Sequence, residues 1–259
     1  MRALEFLLAD ADRRGWRRLI TAGGSGSNWL VATAFYARRI GATLDALVFA
    51  QPDGERVRET QLALAALSVR QRRAPVLLLP LLAVGPLLRG SRPLAAGGAS
   101  ALGVLGHVAA GIELCDQVRA GLLPDPIEIY VALGSSGTTA GLALGLGLGG
   151  SRARLVAVRV ADRIVANSWR VAALAHRAAR LLRVCPRLAP VEVVHRQFGG
   201  RYGRATEAAE QAVRRAAEAA LRLETTYTGK ALAELLARNP SDPVLFWNTF
   251  DGRVLEFGP

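Results

Sequence analysis

The sequence predicts an α/β protein built as two three-layer αβα domains around mostly parallel sheets. Short aliphatic runs with the length of buried strands alternate with longer stretches of helical period along the whole chain. The strand patterns are mostly followed by helix patterns, which is the order that produces parallel strands joined by right-handed crossovers. A length of 259 residues, 51% of them hydrophobic, suits one large or two small domains with sizeable cores.

The first half of the chain supplies one set of layers. Helices are predicted where apolar residues recur every three or four positions, as Leu4, Leu7 and Leu8 do near the amino terminus. Short apolar runs bounded by glycine or proline are predicted as strands. The predicted helices span residues 1–14, 27–41, 54–68 and 102–121, and the predicted strands span residues 17–22, 43–50 and 74–80.

The residues after about 123 supply the second set of layers by the same criteria. The predicted strands span residues 127–133, 154–160, 191–195 and 243–249, and the predicted helices span residues 137–150, 161–182, 205–221 and 229–238. In parallel sheets, ligands bind beyond the carboxyl ends of the strands. The candidate functional segments are therefore the glycine-rich turns after residues 22 and 133, together with the turn "TTYTGK".

Composition and charge argue against several classes of function. The formal charge is +12, but the arginines are scattered and aromatic residues make up only 6%, so nucleic acid is not an expected partner. Cys115 and Cys185 lie far apart and the three histidines lack metal-ligand spacing, which favours a reducing compartment and no metal site. The apolar run 75–88 falls short of the roughly 20 residues that span a bilayer. Because no signal-peptide pattern opens the sequence, we expect a cytoplasmic protein without a membrane partner.

The segment "GSSGTT" at 134–139 has the features of a phosphate-binding loop. It follows a predicted buried strand and opens a helix, so its backbone N–H groups and the positive helix end would face one concavity. Ser135, Ser136 and Thr138 add hydroxyl donors. The segment has neither the lysine of a Walker A loop nor the spacing of GxGxxG. A tight turn packed with small residues would give the same pattern, so both interpretations stay open on the residues alone.

The segment "GGSGSN" at 23–28 also joins a predicted strand to a predicted helix. Ser27 or Asn28 could serve as the N-cap, and a capped helix after a glycine turn would explain the pattern by itself. Two such loops facing one cleft would favour a binding site more than either loop alone.

Six segments taken together resemble one known family. They are "LEFLLADA…ITAGGSGSN", "AAGGASALGVLGHVAAGIEL", "VALGSSGTTAGLALGL", "RVADRIVAN", "RYGRATEAAE" and "TYTGKALAEL…VLFWNT". Their order and spacing resemble the D-cysteine desulfhydrase and 1-aminocyclopropane-1-carboxylate deaminase family, over essentially the whole chain. The resemblance implies pyridoxal 5′-phosphate as cofactor, a small amino acid as substrate, lyase or deaminase activity and the tryptophan-synthase-β-like fold (fold type II). It leaves a homodimer open.

The resemblance also implies a role for each matching residue. Ser27, Tyr202 and Tyr227 would be catalytic residues on the substrate side, and Ser27 would hold the substrate carboxylate. Asn28 would hydrogen-bond the hydroxyl of the cofactor ring, and Thr228 would face the ring nitrogen. The cofactor phosphate would lie against Gly134, Ser135, Ser136, Gly137 and Thr138.

The family fold also implies a division into domains. We expect a smaller αβα domain at 13–122, which carries the Ser-Asn loop, and a larger cofactor-binding domain made of residues 1–12 and 123–259. Trp29 and His107 depart from the residues usual in the family, which have a histidine or glutamine and a tyrosine at those positions. These departures alter the expected wall of the cleft, so the family's substrates do not transfer automatically.

The single lysine of the sequence, Lys230, raises a question about activity. Enzymes that use pyridoxal phosphate form a Schiff base between the cofactor and a lysine amine. In the family, that lysine precedes a pattern matched here by Arg2, Leu4 and Glu5, so it would stand immediately before Met1. Lys230 matches a different lysine of the family, for which we expect a structural role near the cleft rim. We therefore expect the chain as printed to be inactive, either from a start assigned too late or from a real truncation.

Thr228 bears on the reaction type. By resemblance, the ring-opening deaminase has glutamate at this position and the D-cysteine desulfhydrase branch has threonine. A carboxylate stabilises a protonated ring, whereas a hydroxyl gives no such charge stabilisation and fits β-elimination, which needs a weaker electron sink. We therefore expect β-elimination from a D-cysteine-like amino acid. Two alternatives stay open: a degenerate homologue that keeps the phosphate-binding cleft without catalysis, and a nucleotide- or sugar-phosphate-binding α/β protein.

Overall fold

The structure, a computed structural model, describes residues 2–250 in two compact units, one up to Gly98 and the other from Ala99 on. Its helices are α1 (Arg2–Arg13), α2 (Asn28–Arg39), α3 (Glu55–Ala66), α4 (Leu79–Leu88), α5 (Ala101–Arg119), α6 (Gly137–Gly149), α7 (Ser168–Leu182), α8 (Glu207–Glu218) and α9 (Thr228–Arg238). Its strands are β1 (Arg18–Gly24), β2 (Thr43–Phe49), β3 (Arg70–Arg73), β4 (Arg92–Pro93), β5 (Glu128–Leu133), β6 (Arg154–Arg159), β7 (Val191–Val194) and β8 (Val244–Phe246).

The first unit contains a parallel sheet with strand order β3-β2-β1-β4. The inner strands are aliphatic and buried, and Leu19 of β1 lies opposite Leu44 of β2 in the register. Because β1 lies between two neighbours, its carboxyl end delivers the "GGSGSN" loop to the middle of one sheet edge.

One predicted element of this unit is wrong. The sequence predicts a strand at 74–80, but a single turn of 3₁₀ helix at Val76–Leu78 leads into α4 there. Pro80 lies in the first turn of α4, where a missing N–H breaks no helical hydrogen bond. The edge strand is β3, whose residues Arg-Gln-Arg-Arg lack the apolar pattern on which strand prediction depends.

The second unit contains a parallel sheet with strand order β7-β6-β5-β8. Its core is formed by the aliphatic residues of β5 and β6 together with the buried faces of α5, α6 and α7. α5 and α6 pack backbone against backbone: a Cβ on Gly145 would lie 2.3 Å from the Val108 carbonyl oxygen. Glycine is therefore needed at this contact, which fixes where α6 begins relative to the sheet.

The expected α/β class with parallel sheets is confirmed. The domain boundaries at 13–122 against 1–12 and 123–259 stay a prediction, and the two compact units divide the chain differently. α1 packs against α2 in the first unit, and α5 packs against α6 in the second. The helix predicted from residue 161 begins only at Ser168, because the side chain of Asn167 caps α7 by accepting from the Arg170 N–H at 2.7 Å.

The described residues contain no helix that combines the length and the apolar character required to cross a bilayer. Over the same range, no group of three or more histidine, cysteine, aspartate or glutamate side chains is arranged to hold a metal ion.

Candidate functional site

The loop between β5 and α6 has a backbone shape held by a buried side chain. Ser136, the N-cap of α6, adopts a left-handed conformation with φ 73° and ψ −6°, which residues other than glycine rarely adopt. Its hydroxyl donates to the carbonyl oxygen of Val165 at 2.6 Å, in the segment that leads into α7. This bond anchors the strained residue, since strain of this kind persists where the surroundings over-determine the backbone.

The amino-terminal end of α6 has the donors that an anion needs. The first helical hydrogen bond runs from the Ala140 N–H to the Ser136 carbonyl at 3.0 Å, so the N–H groups of Gly137, Thr138 and Thr139 precede it. The side chain of Ser136 makes no capping hydrogen bond to them. Within the described part of the chain, the buried Oγ1 of Thr139 has no hydrogen-bond partner. Main-chain donors, an orphaned hydroxyl and the positive helix end together fit a phosphate group.

Two neighbours border this loop. A Cβ on Gly134 would lie 3.3 Å from Cε1 of Tyr227, so the tyrosine ring lies directly over the start of the loop. On the other side, the hydroxyl of Thr138 lies 3.4 Å from Nε2 of His107 on α5. The loop predicted from the sequence is therefore joined by Tyr227, a second predicted site residue, and by His107.

Tyr202 and Tyr227 form a pair. Their hydroxyl groups are hydrogen-bonded to each other, and their rings meet edge to face with centroids 6.0 Å apart. Burial raises the pKa of Tyr202 to about 12 and also holds the pKa of Tyr227 well above its ordinary value. Both phenols are therefore protonated at physiological pH, so they can donate hydrogen bonds or a proton but cannot serve as bases in their resting state.

Thr228 is the first residue of α9 and is 1% exposed. Its hydroxyl donates to the carboxylate of Glu224 at 3.0 Å. The same carboxylate accepts from the backbone N–H groups of Thr226 at 2.7 Å, Tyr227 at 3.0 Å and Thr228 at 2.8 Å. Glu224 therefore caps α9 and shapes the turn that presents both Tyr227 and Thr228.

Lys230 is fully buried, in contrast to the expected position near a cleft rim. Its amine donates to the main-chain carbonyl of Phe198 at 2.8 Å. Burial lowers the pKa of Lys230 to about 8, although the negative charge of Glu224 partly opposes the shift. The guanidinium of Arg159 stacks on the Phe198 ring at 3.9 Å from its centroid and adds to the lowering. The amine thus ties α9 to the segment that leads to Tyr202.

The predicted residues Ser27 and Asn28 lie in the first unit, at the β1–α2 loop. Ser27 is buried and is the N-cap of α2, with extended backbone and no capping bond from its side chain. Asn28 begins α2, and its side-chain amide oxygen, Oδ1, accepts hydrogen bonds from Arg56, one of them from Nε at 3.1 Å. Trp29 donates from Nε1 to the Thr21 hydroxyl at 3.0 Å, so this departure from the family pattern has a packing role.

The second unit thus brings together the loop residues Gly134, Ser135, Ser136, Gly137 and Thr138 with Tyr202, Tyr227 and Thr228, through the contacts described above. Three residues that matter to these arrangements were not among the predicted site residues: Thr139, Glu224 and Arg56. Glu224 had a usable signal, because it is a carboxylate five residues before residue 229, where the sequence predicts a helix to begin, and negative charge near a helix start is stabilising. Thr139 lies within the predicted phosphate-binding segment 134–139, but no pattern distinguished it from its neighbours there, and Arg56 had no signal that separates it from neighbouring polar residues.

Comparisons with known proteins find relatives along the whole chain. The family described as pyridoxal-phosphate dependent enzyme matches residues 1–249. Nocardicin C-9′ epimerase from Nocardia uniformis subsp. tsuyamanensis is 32% identical over 100% of this chain and 84% of its own length. D-cysteine desulfhydrase from Serratia proteamaculans (strain 568) is 31% identical over 91% of this chain and 74% of its own length. A crystal structure described as an ACC deaminase homologue has a TM-score of 0.81 at 28% identity, over 95% of this chain and 77% of that one. These matches confirm the expected tryptophan-synthase-β-like fold (fold type II).

Proposed function

We propose that the chain is a lyase that carries out β-elimination on a small amino acid of the D-cysteine type. It belongs to the family of pyridoxal-phosphate-dependent enzymes. Its cofactor is pyridoxal 5′-phosphate. The observation that carries the choice of reaction is the hydroxyl of Thr228 at the position where the ring-opening branch of the family has a carboxylate. The cytoplasmic location expected from the sequence stays a prediction, and a homodimer stays open.

The β5–α6 loop would hold the cofactor phosphate. The main-chain donors at the start of α6 and the free hydroxyl of Thr139 supply hydrogen bonds, and the helix end supplies partial positive charge. Asn28 and Ser27 keep the roles assigned by resemblance, on the ring hydroxyl and the substrate carboxylate. When bound, the cofactor withdraws electrons from the α-carbon of the substrate.

Thr228 favours elimination for an electrostatic reason. The nearest carboxylate, that of Glu224, is already engaged by three main-chain N–H groups and by the Thr228 hydroxyl itself. A ring nitrogen facing Thr228 would therefore meet a neutral oxygen instead of a carboxylate in direct contact. That environment stabilises a protonated ring less strongly. β-Elimination tolerates the weaker electron sink, because the electrons leave the α-carbon with the departing β-substituent.

The two tyrosines fit the departure of sulfur. Both phenols are protonated at physiological pH and are hydrogen-bonded to each other, so either can stabilise a leaving thiolate by donating a hydrogen bond to it. In the net reaction, D-cysteine and water give pyruvate, ammonia and hydrogen sulfide. The α-proton is lost, the Cβ–S bond breaks with its electrons on sulfur, and the remaining enamine hydrolyses.

The alternative is a homologue that holds the cofactor without turning over. Lys230 is the only lysine of the sequence, and its amine is buried and donates to the Phe198 carbonyl. That arrangement favours a structural role for this amine. In this alternative the phosphate loop would still bind pyridoxal 5′-phosphate.

The test is a substrate comparison with the cofactor supplied. The chain as printed, and a form extended by the codons upstream of Met1, are incubated with pyridoxal 5′-phosphate and either D-cysteine or 1-aminocyclopropane-1-carboxylate. In the extended form we expect ammonia, pyruvate and sulfide from D-cysteine faster than ammonia from the cyclopropane, and Thr228→Ser should keep this order. The chain as printed, which the sequence predicts to be inactive, should show no turnover of either compound. Faster ammonia release from the cyclopropane contradicts the proposal.

Two other outcomes would favour a different function. Bound cofactor without turnover in both forms supports the non-catalytic alternative. Recovery of cysteine with inverted configuration and without ammonia would align the chain with the relative named as an epimerase.

A further inference from the structure

The turn that presents Tyr227 and Thr228 is organised around one carboxylate. Glu224 is 9% exposed, and three successive main-chain N–H groups donate to its side chain, from Thr226, Tyr227 and Thr228. An ionised carboxylate accepts hydrogen bonds and donates none. Every polar group that faces Glu224 across this turn must therefore point a proton at it.

The hydroxyl of Thr228 follows this rule. It lies 3.0 Å from the Glu224 carboxylate and donates to it, and it also accepts from the main-chain N–H of Glu224 at 3.3 Å. With its proton given to Glu224 and one lone pair used, the hydroxyl has one lone pair left. Turning the proton away would set the hydroxyl oxygen against a carboxylate oxygen with no hydrogen between them, and would lose a charge-assisted bond.

We infer that Glu224 is a positioning residue that fixes Thr228 as a hydrogen-bond acceptor toward the cofactor ring. The inference rests on the proposed function, in which Thr228 faces the ring nitrogen. An acceptor can pair with that nitrogen only when the nitrogen carries a proton. Glu224 thus favours the protonated form of the cofactor ring indirectly, through its hydrogen bond with the Thr228 hydroxyl. This influence is weaker than that of a carboxylate in direct contact, which is consistent with elimination.

The other ionisable groups around Glu224 leave this arrangement in place. Tyr202 and Tyr227 feel its negative charge, which adds to the effect of burial in raising their pKa, so both stay neutral. Lys230 also feels that charge, but its amine donates to the Phe198 carbonyl, and Arg159 adds a second positive charge beside it. The Thr228 hydroxyl has two acceptors in Glu224, the carboxylate at 3.0 Å and the main-chain carbonyl at 3.5 Å, and the shorter bond to the charged carboxylate is the stronger one.

The experiment follows the protonation of the ring nitrogen directly. The chain is saturated with pyridoxal 5′-phosphate labelled with ¹⁵N in the ring, and the ¹⁵N chemical shift is recorded against pH. Glu224→Gln and Thr228→Val are compared with the wild type and with the double variant. Glu234→Gln is the matched control, because Glu234 is another buried carboxylate, on α9, that accepts from Arg196 and Arg238 instead of from the turn. Melting curves of the cofactor-free proteins show which variants fold.

We expect Glu224→Gln and Thr228→Val each to lower the pH midpoint of the ring nitrogen by about one unit. The double variant should show no further shift, since both substitutions break the same chain of hydrogen bonds. Glu234→Gln should leave the midpoint unchanged. An unchanged midpoint in cofactor-bound Glu224→Gln overturns the inference, and so do shifts that add in the double variant.

Two further outcomes are also decisive. If Glu224→Gln fails to fold, Glu224→Asp and Thr228→Val take its place, and an unshifted midpoint in Thr228→Val overturns the inference. If the wild type does not bind the labelled cofactor, the proposed function fails and the inference fails with it. A shifted midpoint in a protein that prefers the cyclopropane substrate keeps the inference and removes only the proposed reaction.

Discussion

The β1–α2 and β5–α6 loops have similar sequences, with glycines and serines between a buried strand and a helix, but the structure holds them differently. Ser136 begins α6 from a left-handed backbone and is tied by its hydroxyl to the Val165 carbonyl. Ser27 begins α2 from an ordinary extended backbone without a side-chain cap. The polar side chain of Asn28 is held by Arg56, which is partly exposed.

The difference separates a preorganised loop from an adjustable one. In the unit of the β5–α6 loop, Glu224 accepts from the Thr228 hydroxyl and Lys230 donates to the main-chain carbonyl of Phe198, and these side chains are buried. A phosphate bound there costs little rearrangement, because its donors are already in place. In the β1–α2 loop, Ser25 is bonded to Phe49, Gln51 and Gln61, whereas the side chain of Asn28 is held by the partly exposed Arg56. The Asn28 side chain is therefore the part of this loop that we expect to adjust most.

The largest expected effect is on the free energy of unfolding and concerns Lys230, which lies in the unit that contains the β5–α6 loop. Its pKa of about 8 lies below the usual lysine value of 10.5, so the unfolded chain binds more protons between these pH values. The free energy of unfolding should therefore rise with pH in this window, by about 3 kcal/mol at most. Lys230→Met should abolish the rise, as measured by urea unfolding at pH 7, 8, 9 and 10. A wild type whose pH dependence equals that of Lys230→Met would show that the buried amine is not responsible.

Gly134→Val should have the next largest effect. The added carbons would press on the Tyr227 ring, which Tyr202 holds in place, and we expect a loss of about 2 kcal/mol in the free energy of unfolding. The matched control is Gly54→Val in the first unit, where an added Cβ would meet no atom within 4 Å. With no neighbour to displace, this change should cost about 1 kcal/mol or less. Equal losses of the two variants in urea unfolding would contradict the assigned contact between Gly134 and Tyr227.

Threonine substitutions at the two N-cap residues, Ser136 and Ser27, isolate the contribution of backbone conformation to stability. Ser136→Thr keeps the hydroxyl but places a β-branched residue at φ 73°, so we expect a loss of about 1 kcal/mol. Ser27→Thr, at φ −76°, should change stability by less than about half of that. Thermal melting of both variants at one pH provides the comparison, and a larger loss at Ser27 would contradict the backbone argument.

Thr139→Val should have the smallest effect on stability and should act selectively on the affinity for the cofactor. The Thr139 hydroxyl has no hydrogen-bond partner within the described residues, so its removal should not lower the melting temperature of the cofactor-free chain. Affinity for pyridoxal 5′-phosphate should fall about fivefold, which corresponds to one lost hydrogen bond. Fluorescence titration measures this change, and full affinity in a folded Thr139→Val protein would exclude the hydroxyl from the site.

Sequence patterns were sufficient for most of the fold but only for part of the candidate site. Apolar periodicity located the long helices and the buried strands, because burial alone sets those patterns. It failed at 74–80, where an aliphatic run forms a helix, and at β3, an arginine-rich edge strand that buries little. Glycine and hydroxyl residues marked both loops. The roles of Glu224 and Arg56 depend on which side chain meets which backbone group after folding, and no local pattern specifies that.

The proposed function depends on the β5–α6 loop as the holder of the cofactor phosphate. This role is measured by comparing the dissociation constants of pyridoxal 5′-phosphate and of pyridoxal, which lacks the phosphate, for the same protein, with inorganic phosphate as competitor. We expect pyridoxal 5′-phosphate to bind at least about tenfold more tightly, because main-chain donors and the helix end act on the phosphate alone. We also expect inorganic phosphate to weaken only the binding of pyridoxal 5′-phosphate. Equal affinities for the two compounds, unaffected by inorganic phosphate, would show that the loop does not hold the phosphate.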